Sequence, residues 1–117
     1  MIEKLAVAVR AARDRKALDL NVLNLTGLSS FTDYFLICSG SSTRHSQAIC
    51  DGILEQLEEL GTPPAHVEGY SQAEWILVDC LDVVIHIFSE RARNFYDLER
   101  LWRTAPRVTV ANDQENG

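Results

Sequence analysis

The spacing of apolar positions changes several times along the chain, and each change marks an element. Ile2, Leu5, Ala6, Val9 and Ala12 recur at helical spacing, with Glu3 at the start and Arg13, Arg15 and Lys16 at the end. That charge order suits the helix dipole. Residues 20–25 read as a short strand, but Val22 and Leu23 would point to opposite faces, so the pattern leaves the buried side undecided. Residues 27–32 are a polar turn, and 34–38 form a continuous apolar run, as expected of a central strand covered on both faces. A second helical pattern follows, in which Ile49, Ile53, Leu57 and Leu60 repeat and Cys50 and Leu54 widen the stripe. Ser42 or Thr43 supplies its N-cap, and Gly61 ahead of Pro63 and Pro64 ends it.

Residues 65–69 read as a short third strand and 70–74 as a polar loop. The stretch 75–88 then organises the rest: two β-branched-rich runs, 75–78 and 83–88, joined by a tight turn. A two-residue loop at Cys80 and Leu81 would pair Val78 with Val83, Ile76 with Ile85, Leu77 with Val84 and Trp75 with His86. Ile76, Val78, Val83, Ile85 and Ile87 then share one apolar face. The other face is mixed, with Trp75 beside His86, Leu77 beside Val84 and Asp79 beside Asp82, and it looks free for work. A four-residue loop gives the same partition. Ser89 can cap a last amphipathic piece through Phe95, Leu98, Leu101 and Trp102, re-capped at Asp97. Residues 104–117 have little to pack and are expected to be disordered, which ends a single domain, 1–103, at Arg103. The order α-β-β-α-β-β-β-α predicts an α+β fold, a mixed sheet of about five strands flanked by helices.

Composition narrows the function classes. The chain of 117 residues suits one domain and carries a net charge of −6. That charge is uneven: residues 1–16 carry five basic and two acidic groups, residues 17–90 only Arg44 against eleven acidic groups, and residues 91–103 four basic and two acidic. Such a body repels phosphate backbones, so no direct nucleic-acid binding is expected, and a basic protein surface matches it better. The plainer reading is that acidity keeps the protein soluble. Cys38, Cys50 and Cys80 show no CxxC spacing and read as free thiols in a reducing compartment. No apolar run approaches the ~20 residues of a membrane span. Glu3 and Asp14 argue against a transit peptide. The expected location is the cytoplasm.

Two groupings invite chemistry. Ser39-Gly40-Ser41-Ser42 links a strand to a helix, where free N–H groups can hold an anion, yet no Gly-Lys-Ser/Thr follows. A tight turn with a cap explains it more simply. Asp79 and Asp82 could hold a divalent cation, as paired carboxylates do in nucleotidyl transfer. A third carboxylate and a set of cations for a triphosphate are missing. The pair reads first as facing solvent, and next as meeting a cation of a partner protein. His45, His66 and His86 are too scattered for a zinc signature, so neither metal nor cofactor is expected. Trp75, on the mixed face beside acidic groups, reads as an interface anchor rather than core.

Four separated motifs carry a resemblance across residues 2–103: Thr32-Asp-Tyr-Phe-Leu-Ile-Cys-Ser-Gly-Ser-Ser-Thr-Arg44, Glu68-Gly69, Trp75-Ile-Leu-Val-Asp-Cys-Leu-Asp-Val-Val-Ile-His86, and Phe95-Tyr-Asp-Leu-Glu-Arg-Leu-Trp102. The chain resembles the ribosomal silencing factor family (RsfS, also called Iojap). The resemblance implies a nucleotidyltransferase-like fold without that fold's catalytic carboxylates, hence not an enzyme. It further implies binding to the large ribosomal subunit through its fourteenth protein, a block on subunit joining, lowered translation under scarcity, and a homodimer when free. Carried over position by position, it marks Glu68, Trp75, Asp79 and Asp82 as the partner-binding face, flanked by His86 and Tyr96. One position departs from the family pattern: Leu81 stands where Gly is usual, and Leu resists the positive φ of a tight hairpin turn.

Overall fold

In a computed structural model, residues 2–109 are described. Helix α1 (Glu3–Asp14) precedes strands β1 (Leu18–Asn24) and β2 (Tyr34–Gly40), helix α2 (Thr43–Leu60), strands β3 (His66–Glu68), β4 (Trp75–Asp79) and β5 (Val83–Ser89), and the short helices α3 (Glu90–Tyr96) and α4 (Leu98–Leu101). The five strands form one sheet in the order β1-β2-β5-β4-β3. Only the central β2–β5 pair is parallel. The expected α+β architecture is therefore present, with the last helical piece broken in two at Asp97, whose φ of 49° is left-handed.

Both long helices pack on one face of the sheet. Leu5, Val9 and Ala12 of α1 and Ile49, Ile53 and Leu57 of α2 meet Val22, Leu36, Ile76, Val78, Ile85 and Ile87, all buried. Ser42 caps α2 by accepting the His45 N–H. Gly61, at φ 85°, closes the helix as the paired bonds from Gly61 N–H to Glu58 and Thr62 N–H to Leu57 require. All three cysteines are free and buried, and burial pushes the Cys38 and Cys50 thiols up to about 12. Among the described residues no helix is long and apolar enough to cross a membrane.

The second face departs from the mixed, free surface expected of it. Half of it is a second core: Leu23, Leu25, Phe35, Ile37, Val84 and Phe88 lie beneath Ala92, Leu98, Trp102 and Ala105. The ambiguity of Val22 and Leu23 resolves accordingly, since each is buried in a different core. A polar clamp fastens this cover. Arg93 donates to both carboxylate oxygens of Glu99 at 3.0 Å and to Ser39 Oγ at 2.9 Å, and Asn21 also donates to Glu99.

Two further expectations change. The hairpin register is offset by two: Trp75 pairs with Phe88, Ile76 with Ile87, Leu77 with His86 and Val78 with Ile85. The partition of side chains between faces survives, because an offset of two preserves strand alternation. The chain also stays ordered past Arg103. Asn24 N–H donates to Pro106 O at 2.8 Å and Val108 N–H to Val22 O at 2.9 Å, so this segment lies along the outer edge of β1. Backbone pairing of that kind leaves no side-chain period to read. Residues 110–117, also expected to be disordered, lie outside the described residues.

Candidate partner-binding face

The uncovered half of the second face belongs to β4 and β3. Register fixes its rows. Asn21, Ile37, His86, Leu77 and Glu68 form one line across the sheet, and Leu23, Phe35, Val84, Asp79 and His66 form the next. Each line begins under the α3–α4 cover and emerges at β4. The exposed end therefore offers Leu77 and Glu68 in one row, Asp79 and His66 in the other, and Trp75 beside them.

Trp75 is held from several sides. Phe88 lies 4.9 Å away between ring centroids and Tyr96 of α3 lies 4.8 Å away on the exposed flank. The indole Nε1–H donates to His86 Nδ1 at 3.0 Å, a diagonal reach, since Leu77 is the residue opposite His86. The loop before Trp75 depends on Gly69. At φ 79°, with an added Cβ striking the Trp75 carbonyl oxygen, that position admits no other residue without displacement. Tyr70 then ties the loop to α2 through its hydroxyl, which donates to Asp51.

His86 is not a flanking contact residue. It is 3 % exposed, and burial pushes its imidazole down to about 4. Its Nε2 is buried and has no hydrogen-bond partner among the described residues, and Phe35 packs edge-on to the ring at 4.5 Å.

The two aspartates part company. Asp82 forms an ion pair at 2.9 Å with Lys4, which also donates to Cys80 O, so its carboxylate is tied to α1. Asp79 accepts the Leu81 N–H at 2.9 Å. Leu81 takes the left-handed region after all, at φ 72°, with Asp82 N–H bonded to Cys80 O across it. That is a γ-turn, a strained geometry for a branched residue. The Leu81 side chain projects into solvent. Glu68 is exposed and pairs with His66 at 2.9 Å. The structure thus gathers Trp75, Tyr96, Asp79 and Glu68 on one face, buries His86 beneath it and turns Asp82 elsewhere.

Sequence reasoning passed over Leu77 and Phe95. Leu77 shares the face and alternation of Trp75, which was the available signal. Phe95 is 79 % exposed beside Tyr96, and the two, with Glu74, Arg91 and Ala92, line a hollow of about 350 Å³ next to Trp75. An aromatic on a helical stripe reads as core, whereas α3 (Glu90–Tyr96) turns Phe95 outward. The Gly40 turn proves to be a packing device, because a Cβ there would strike Ser46. The nearby Ser41 N–H is taken by His45 Nδ1 at 2.8 Å, where an anion would sit.

Comparison with known proteins adds a family. The profile described as "Ribosomal silencing factor during starvation" matches residues 1–117. A ribosomal silencing factor of Halalkalibacterium halodurans is 43 % identical over 108 residues, 92 % of each chain. A crystal structure of a Chromobacterium violaceum protein superposes with a TM-score of 0.85 at 31 % identity, covering 96 % of this chain and 94 % of that one. A mouse protein named for mitochondrial assembly of the ribosomal large subunit is 34 % identical over 97 residues, 80 % of this chain and 42 % of its own length.

Proposed function

The chain belongs to the ribosomal silencing factor family, and on that premise we propose that it binds the large ribosomal subunit through the subunit's fourteenth protein and blocks joining of the small subunit. The observation that carries this is the uncovered half-face. Trp75, Leu77 and Tyr96 supply apolar contact, and Glu68, Glu74 and Asp79 rim it with negative charge. Large aromatics inside a polar rim are the anatomy of a protein interface. The acidic rim suits a basic ribosomal protein and disfavours bare RNA. The name of the mouse relative points to the same subunit.

On this reading the protein is a non-enzymatic repressor acting in the cytoplasm, with residues 1–103 as its working domain. The nucleotidyl-transfer alternative is disfavoured because Asp82 is bound to Lys4 and Asp79 to its own turn, so no shared cation site is formed. When no ribosome is available, the same apolar strip would pair with a second copy as a homodimer.

The direct test is co-sedimentation with purified large subunits, followed by light scattering as small subunits are added. Bound protein that suppresses joining supports the proposal. Folded protein that stays in the supernatant at low salt refutes it.

A further inference from the structure

We infer that His86 is a positioning residue for Trp75: its buried Nδ1 takes the indole N–H and fixes the angle at which that ring meets a partner. This rests on the reading of the uncovered half-face as the partner surface. The contacts of Trp75 with Phe88 and Tyr96 are ring packing at 4.9 and 4.8 Å, with the planes tilted by 33° and 48°. Such packing tolerates sliding and rotation. The bond to His86, at 3.0 Å, is the directional contact that the indole makes among the described residues.

The chemistry of the imidazole supports a role beyond packing. Burial keeps the ring neutral at pH 7. With Nδ1 accepting, its one proton lies on Nε2, and that atom is buried with no partner among the described residues. An unpartnered buried N–H costs stability. A phenylalanine would fill the same place between Phe35 and Phe88 and remove the orphaned Nε2, leaving the half-buried indole N–H to seek solvent, and the strand alternation would accept it. What histidine adds over an apolar ring is the hold on Trp75. The position thus gives up stability to orient the residue at the centre of the interface.

The test uses His86→Phe, His86→Gln, Trp75→Phe and the double variant His86→Phe/Trp75→Phe in the full chain. The first readout needs no ribosome: the indole ¹H–¹⁵N resonance of Trp75, told apart from that of Trp102 by Trp102→Phe. In His86→Phe it is expected to move and to exchange faster with solvent, and in His86→Gln, whose carbonyl can accept, to be largely restored. The second readout is affinity for large subunits. His86→Phe is expected to weaken it on the order of tenfold, and the double variant to bind no worse than Trp75→Phe.

An unmoved resonance in folded His86→Phe overturns the inference. So does a moved resonance with unchanged affinity, or losses that simply add in the double variant. If wild-type protein fails to bind large subunits at all, the partner reading falls, and the resonance alone decides whether His86 holds Trp75. If His86→Phe does not fold, His86→Leu, which likewise lacks an acceptor for the indole N–H, supplies the same comparison.

Discussion

Arg93 and Glu99 meet in a two-point ion pair, Nε to Oε1 and Nη2 to Oε2 both at 3.0 Å, under the corner where α3 turns into α4. Their side chains are 12 % and 21 % exposed, so the pair is shielded more than a surface bridge. It joins the cover of the second core to β1 and β2 through Asn21 and Ser39. Glu99→Ala leaves the largely buried Arg93 guanidinium without its carboxylate partner and is expected to cost about 2 kcal/mol. Urea unfolding would show the loss, and a rise in bound hydrophobic dye would show that the α3–α4 cover has loosened.

Acid should weaken the fold, and the sign follows from His86. Its native value is about 4 against about 6.5 for an unfolded histidine. Between those values the unfolded chain takes a proton that the native chain refuses, so stability is full above about 6.5, falls as pH drops and levels off below about 4. The span corresponds to roughly 3 kcal/mol. Glu99 adds to the loss at the acid end: burial raises its pKa, but bonds from Arg93 and Asn21 outweigh that and hold it low. Urea midpoints at pH 7, 5.5 and 4 test this. In His86→Phe the fall between pH 6.5 and 4 should shrink to the carboxylate share.

Leu81 holds a left-handed backbone conformation with its side chain 66 % exposed. Leu81→Gly removes the steric penalty and surrenders little packing. After the added chain entropy of glycine, the expected net gain is about 0.5–1 kcal/mol. A rise in melting temperature of a few degrees would confirm it.

Asp79 and Asp82 should separate in function. Asp82→Ala breaks a partly exposed pair with Lys4, so it is expected to cost under about 1 kcal/mol of stability and leave large-subunit affinity unchanged. Glu68→Arg or Asp79→Arg places positive charge on the proposed rim and should weaken binding about tenfold, with slower association at low salt. Binding kinetics at two salt concentrations distinguish the two cases.

Trp75→Ala should cost about 2 kcal/mol or more of binding. Because Trp75 also packs on Phe88, stability falls too, and urea unfolding must be measured beside affinity.

Much of the fold was legible because its elements carry clean periods. The α2 stripe, its Ser42 and Gly61 caps and the apolar face of the hairpin all read directly. Faces survived a register error because alternation tolerates an offset of two, whereas cross-strand partners did not. The candidate site was less legible for a physical reason. A strand pattern states which residues share a face, not how far a later helix covers it. His86 and Leu77 stand opposite one another on the same face, yet α3 and α4 cover one side of that line and leave the other bare. Asp82 was misplaced because a turn residue has no alternation, and its direction was set by Lys4, 78 positions away. The pairing of residues 106–108 with β1 runs through main-chain groups that every residue has.

The centre of the sheet imposes an order of events on synthesis. β2 and β5 are parallel neighbours, Tyr34 beside Val83 through to Gly40 beside Ser89. The middle strand of the sheet is thus the last to leave the translating ribosome. Until it emerges, β2 has no partner on its inner side, and its apolar run from Phe35 to Cys38 has nothing to seal it. Folding that waits on so distant a pairing is slow and leaves the nascent chain prone to association. A chain halted before Val83 should therefore remain protease-sensitive and engage holding chaperones, and release of β5 should convert the whole sheet in one cooperative step.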